Sequence, residues 1–358
     1  MRLINKFYKL QNVYIYFVLF SLLIVFFSTS YSHANQFKVS DIKISSPFNL
    51  NFEKKTVIDK GFKASFSNLL SMITTSGDRG KIRNISIKEL KGMIDSFNIS
   101  DEKFINNEYF AYLETTFNKK KILKFLENEN IFPSIPRRNK VLLLPILVEK
   151  NDNIYLFNNN IFYEKWNEEN NSFDLLEYLL PREDIEDLME LQKKSKDIET
   201  YDFSNLINKY DITDSIILII YKEGNVIRTL SKINLKNTLK IQNKNYSKVD
   251  IKSENYFFNI IKSLKQVYED QWKKNNEINT SIKLPMTISI NSKKYKEITK
   301  LEQALGSIDL ISDFNILSFN NESIQYKITY NGAPNLFLND MKKKEINLEI
   351  KNNIWIIK

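Results

Sequence analysis

The chain has 358 residues, no cysteine, a single histidine and a formal net charge of +9. Without cysteine it has neither disulfides nor a lipidated-cysteine anchor, so its stability rests on the apolar core. Its lysines are interspersed with acids along the whole length, a pattern of solvated faces rather than of a nucleic-acid-binding surface.

The opening MRLINKFYKL carries Arg2, Lys6 and Lys9 and no acid, and Val13 to Phe27 is an uncharged apolar run. Ser32 and Ala34 then occupy the small-residue positions that a signal peptidase reads. As a helix the apolar run spans about 22 Å, short of a hydrocarbon core of ~30 Å. Residues 1–34 are therefore expected to be a signal peptide cleaved after Ala34, giving a secreted, periplasmic protein; the other reading is an uncleaved anchor. No later run is long and apolar enough to span a bilayer. The only histidine, His33, lies in the segment expected to be removed, which would leave the mature chain without His or Cys. That excludes Ser-His-Asp and Cys-His nucleophiles, His/Cys zinc sites, haem and iron–sulfur ligation. Carboxylate, Lys, Tyr or Ser chemistry and oxygen-ligated hard metals remain.

The first expected unit, residues 35–136, is α+β. Ile58, Phe62, Phe66, Leu69 and Ile73 recur on one face and predict a helix over 56–75, closed by a polar loop, 74–80. The Gly77-Asp78-Arg79-Gly80 stretch in that loop lacks the Gly-Lys-Ser/Thr of a phosphate-binding loop and reads as a connection between helices. A short helix is expected over 86–97. Alternation over Glu108 to Phe117 predicts a strand, and Asn118 caps a helix running to Asn130. Pro133 and Pro136 mark the boundary.

The second unit, 137–280, is α/β. Val141 to Val148 (VLLLPILV) and Ser215 to Tyr221 (SIILIIY) are unbroken apolar runs, which predict neighbouring central strands buried on both faces. Val226 to Ile233 is expected to return as an antiparallel edge, and Tyr256 to Trp272 is an amphipathic helix. In the third unit, 281–358, the predicted order is β-α-β-β-α-β: strands at 286–290, 308–319 and 323–330, a helix at 294–305 stopped by Gly306, and a helix opened by Pro334. A hairpin, 346–350 with 354–357, closes it. The fold class is thus α/β and α+β, small mixed α/β units with a C-terminal ferredoxin-like unit.

In order, the long helix, Ser76-Gly77-Asp78, the 108–117 strand, Pro136-Arg137-Arg138 with VLLLPILV, Trp166 in its Asn-rich setting, and Leu180 to Asp187 resemble the bacterial envelope family filed as domain-of-unknown-function 2066. Pro181, Asp184 and Asp187 are the most specific part of the match. The resemblance implies an envelope location and brings no catalytic residues.

Two constellations stand out. Glu183, Asp184 and Asp187, with Glu186, are the weak candidates for a divalent metal, and read first as the acidic first turn of a helix with Pro181 at N1. Phe162, Tyr163 and Trp166 are possible ligand or partner contacts, although aromatics at this spacing are more often core. The function expected is a non-enzymatic binding or envelope-assembly module. It has no cofactor, and its partner is another envelope protein or peptide rather than nucleic acid. The membrane enters only through the signal segment, if uncleaved. The alternative is a carboxylate-dependent hydrolase acting on envelope glycan.

Overall fold

The computed structural model describes residues 37–82, 84–149, 152–168, 171–247, 253–279, 282–308, 310–351 and 354–357; the expected signal and its cleavage point lie outside them. Among the described residues are three sheets and ten α-helices, a mixed α/β architecture. None of these helices is long and apolar enough to cross a membrane.

The first sheet is antiparallel, in the order β1-β3-β2, from β1 (Lys38–Pro47), β2 (Ile94–Ile105) and β3 (Glu108–Phe117). Strand β3 buries Tyr109, Ala111, Leu113 and Phe117, the alternation predicted for it. Helix α1 (Lys54–Ile73) lies across this face with Phe62, Phe66, Leu69 and Ile73 inward. The contact is close at Gly61, where a Cβ would meet Leu113 Cδ2 at 2.7 Å and Ile44 Cγ2 at 2.8 Å. A single helical turn, α2 (Ser76–Arg79), stands where a loop was expected.

The helix predicted over 86–97 stops early. Helix α3 (Ile87–Gly92), capped by Ser86, buries Leu90. From Ile94 the chain becomes β2, paired to β3 through Ile94↔Phe117 and Ile99↔Leu113. This mostly exposed edge strand has no strong period of its own, so its ladder to β3 overrides local preference. Asn118 does cap α4 (Lys119–Asn128), accepting from the Lys121 N–H at 2.9 Å.

The central sheet runs β5-β4-β7-β8-β9, with β6 also on β4, from β4 (Asn139–Glu149), β5 (Asn153–Tyr155), β6 (Leu176–Leu179), β7 (Ser215–Glu223), β8 (Val226–Leu235) and β9 (Thr238–Tyr246). Strands β4 and β7 are parallel neighbours, Leu142↔Ser215 through Val148↔Tyr221, as the two apolar runs predict. One face carries Val141, Leu143, Ile216 and Leu218 under helix α8 (Glu254–Asn275). The other carries Leu144, Ile146, Ile217 and Ile219 against Leu191 and Leu206. Those two residues lie on α6 (Ile185–Lys193) and α7 (Ser204–Ile207); α5 (Ile161–Lys165) precedes them in the chain. Strand β8 is not the edge that was expected. Strand β9 pairs along its whole length, joined by a two-residue turn with positive φ at Lys236 and Asn237.

The third sheet is ordered β11-β12-β10-β14-β13. Its elements are β10 (Leu284–Asn291), α9 (Tyr295–Ser307), β11 (Ile311–Phe319), β12 (Ser323–Tyr330), α10 (Pro334–Lys343), β13 (Leu348–Lys351) and β14 (Ile354–Ile357). Strand β10 is parallel to β14 and antiparallel to β12. Ile288, Leu301, Ile328, Phe337 and Met341 fill the space between sheet and helices. Gly306 does not stop α9: the helix continues through Ser307, and Ile308 caps it in extended conformation.

Candidate functional site

The sequence-derived metal candidates are occupied by a lysine. Helix α6 starts at Ile185, four residues later than Pro181 at N1 would require, and Asp184 is its N-cap, accepting from the Glu186 N–H at 2.9 Å. Lys209 reaches back to Asp184 Oδ2 at 3.0 Å and donates to Asp187 Oδ1 as well. Asp187 is buried while Glu183 is exposed, so the acids do not converge. The Lys209 hydrogen bond holds the Asp184 carboxyl below its usual range. Among the described residues, no group of three or more acids is placed to hold a metal ion.

The aromatic candidates divide. Asn160 caps α5, accepting from the Phe162 and Tyr163 N–H groups, and its amide donates to Pro145 O at 2.9 Å and Tyr155 O at 3.0 Å. This buried junction, with a further amide contact to Leu156 O at 3.4 Å, fixes α5 against β4. It drives Phe162 into the core against Phe257 and leaves Tyr163 half-buried, donating to Pro181 O at 3.0 Å. Trp166 is buried too, stacked on Tyr268 at 6.1 Å and edge-on to Tyr178 at 5.5 Å. Trp166 also lines a cavity.

That cavity, of about 450 Å³, lies where the end of α1, the turn α2, the segment after α5 and helix α8 meet. Its volume falls within the range of small-ligand sites. Two contacts bring α2 there: Asp270 on α8 accepts from the Ser76 N–H at 2.8 Å, and Arg79 Nη1 donates to Ser71 O at 3.2 Å.

On α8, Lys265, Glu269 and Lys273 follow one another at four-residue intervals and line the cavity as a row. They are only 7%, 5% and 5% exposed. Glu269 Oε1 accepts from the Leu175 and Leu176 N–H groups at 2.8 and 2.7 Å, anchoring the start of β6. Its Oε2 lies 3.7 Å from Lys273 Nζ, an ion pair without a hydrogen bond. Burial pushes the Glu269 carboxyl up and the Lys273 ammonium down, because desolvation disfavours both charged forms. Burial likewise raises Asp174, the second carboxylate of the wall. Lys265 stands 6.0 Å from the Trp166 ring and 5.8 Å from that of Tyr178. Trp166 Nε1 and Tyr178 Oη, both buried, have no hydrogen-bond partner among the described residues.

Sequence reasoning missed this row and the α2 contribution. A signal was present: Lys265, Glu269 and Lys273 are spaced to share one side of an otherwise amphipathic helix, next to the apolar Ile261, Leu264, Tyr268 and Trp272. A second concavity, about 830 Å³ between α1 and β2, is lined by Ile58, Phe62, Ile94 and Phe97 with flanking charges. It contains no comparable row of buried ionisable groups.

A scan against protein-family models finds no matching family, and a search of curated proteins finds no match.

Proposed function

We propose that this chain is a non-enzymatic binding module of the bacterial envelope, and that the cavity beside α8 is its ligand site. The observation that carries the reading is the buried row Lys265–Glu269–Lys273 facing an open volume. Burying ionisable groups costs free energy unless each finds partners. Here Glu269 Oε2, which has only the longer ion pair to Lys273, and Trp166 Nε1 have no hydrogen-bond partner among the described residues. A bound molecule would supply them. Native mass spectrometry of the chain purified from the envelope tests this. The expected result is a small-molecule adduct, lost on denaturation and absent from a Ser71→Trp variant that fills the cavity. An adduct-free wild-type protein would overturn the reading.

The envelope location rests on the N-terminal pattern of charge, apolar run and Ser-His-Ala, and on the motif order that resembles the domain-of-unknown-function 2066 family. N-terminal sequencing of the envelope form should begin at Asn35, whereas an intact Met1 would restore the anchor reading. We read the third sheet as ferredoxin-like with β13 added at one edge, on the support of its strand order and of the parallel β10–β14 pair. An envelope protein or peptide remains the partner proposed for the sheets.

The hydrolase reading gains one observation: Asp174 and Glu269 line the same cavity and both are pushed up by burial. A glycosidase needs one acid and one free carboxylate across a cleft. Glu269 is already engaged with two backbone N–H groups, which favours binding over turnover. Release of reducing sugar from envelope glycan, abolished by Asp174→Asn, would reverse that preference.

A further inference from the structure

We infer that the ligand of this cavity carries a compact anionic group of the phosphate or sulfate class, next to a flat apolar part. The inference rests on the binding reading above and names the chemistry of its ligand. Five cations line the wall, Arg79, Lys165, Lys262, Lys265 and Lys273, against the two carboxylates Asp174 and Glu269. Each acid is held within the fold through one of its oxygens. Glu269 holds the start of β6, and Asp174 Oδ2 accepts from the Asn171 N–H at 3.4 Å. The partners of four of the cations differ. Lys165 has a carboxylate partner in Glu168 at 2.8 Å, and Lys273 has Glu269 only at ion-pair distance. Arg79 donates to a main-chain carbonyl, so its hydrogen bond to Ser71 leaves its charge uncompensated. Lys262 has no acid within ion-pair distance among the described residues.

Gathering like charges around one volume destabilises the empty site, and an anion placed there relieves the repulsion while gaining charge-assisted hydrogen bonds. Lys265 and Lys273 are not surface lysines waving in solvent. Their stems are packed, so little side-chain freedom is lost on binding. The apolar half of the site is provided by Trp166, Phe173 and Phe258 on the same wall, and an aromatic or aliphatic group would pack there. A carboxylate alone would satisfy fewer of these donors than a tetrahedral oxyanion.

The test uses the full chain with inorganic phosphate, pyrophosphate and phenyl phosphate as probes, against sodium chloride of equal ionic strength, read by calorimetric titration and thermal unfolding. Saturable binding is expected, tightest for phenyl phosphate, and weakened by about tenfold or more in Lys262→Gln and in Lys265→Met. Lys262 is exposed, so Lys262→Gln should fold as the wild type does and keeps the test valid if Lys265→Met is unstable. Binding that is not saturable, or that both variants retain in full, marks an adventitious ion only and overturns the inference. The two readings fail separately. A neutral adduct on the envelope-purified chain, with no anion binding, sinks the anion and leaves the cavity as a ligand site. No adduct and no anion binding sink both.

Discussion

Glu269 is the residue whose removal separates the most physical effects. In Glu269→Ala the N–H groups of Leu175 and Leu176 lose their acceptor in a buried setting. An orphaned buried donor costs about 1–3 kcal/mol, and breaking a buried ion pair from one side about 3–5 kcal/mol. These contributions overlap, because one carboxylate serves both, so the expected loss is roughly 4–7 kcal/mol. Glu269→Gln keeps an oxygen for the two N–H groups and removes a charge that burial disfavours, so it should cost much less than Glu269→Ala. Adding Lys273→Met to the Gln variant should recover part of that loss, since an apolar pair replaces an uncompensated ammonium. Urea denaturation followed by far-UV circular dichroism, with unchanged m-values, measures all three. If Ala and Gln are equally destabilising, the anchoring of β6 by Oε1 contributes nothing. If Glu269→Ala stays within about 1 kcal/mol of wild type, the account of the buried row is wrong.

Other perturbations follow from the same structure. Burial lifts the Glu269 carboxyl above its ordinary 4.5, so the stability it confers is full below that value and fades as pH rises through its folded pKa. The stability of wild type relative to Glu269→Gln should therefore fall as pH rises above about 4.5, and a flat difference refutes the shift. Gly61→Ala would gain about 1 kcal/mol from helix propensity, yet its Cβ must displace Leu113 and Ile44, at about 1–3 kcal/mol. A net loss in melting temperature is expected, and a stabilised variant would show that α1 can lift from the sheet. Leu143→Asp puts a charge at a fully buried position of β4 and should abolish cooperative unfolding, observable by calorimetry. At the acidic start of α6, Lys209 already bridges Asp184 and Asp187 and stands where a cation would sit, so Ca²⁺, Mg²⁺ and EDTA should leave the melting temperature unchanged. A true site at a hundredfold excess over Kd would add about 2.7 kcal/mol.

Where a segment has a strong period or an unbroken apolar run, its place in the fold was legible. Strand β3 follows its alternation, β4 and β7 their continuous hydrophobicity, and α8 its stripe. Strands β2 and β9 were missed because they are exposed, polar edges, specified by a partner strand rather than by their own pattern. Asp184 was misplaced as part of the first turn because the rigid Pro181 looked like the better start, whereas the Asp184 carboxylate caps the helix. The cavity was illegible for another reason. Arg79, Trp166, Asp174 and Lys265 come from separate stretches of chain, and only the packing of α1, α2 and α8 brings them together.

The parallel pairing of β4 with β7 also bears on how the chain reaches its native state. Their register is offset by 73 residues, the separation between Glu149 and its ion-pair partner Lys222. The most apolar strand therefore waits for a central partner that is synthesised much later, and it cannot be satisfied by a local hairpin alone. Closing so long a loop before any contact rewards it makes folding slow, and it leaves Leu142 to Val148 exposed to other chains meanwhile. A chain truncated before Ser215 keeps that strand and loses its parallel neighbour β7, so such fragments should aggregate rather than accumulate as a stable half-protein.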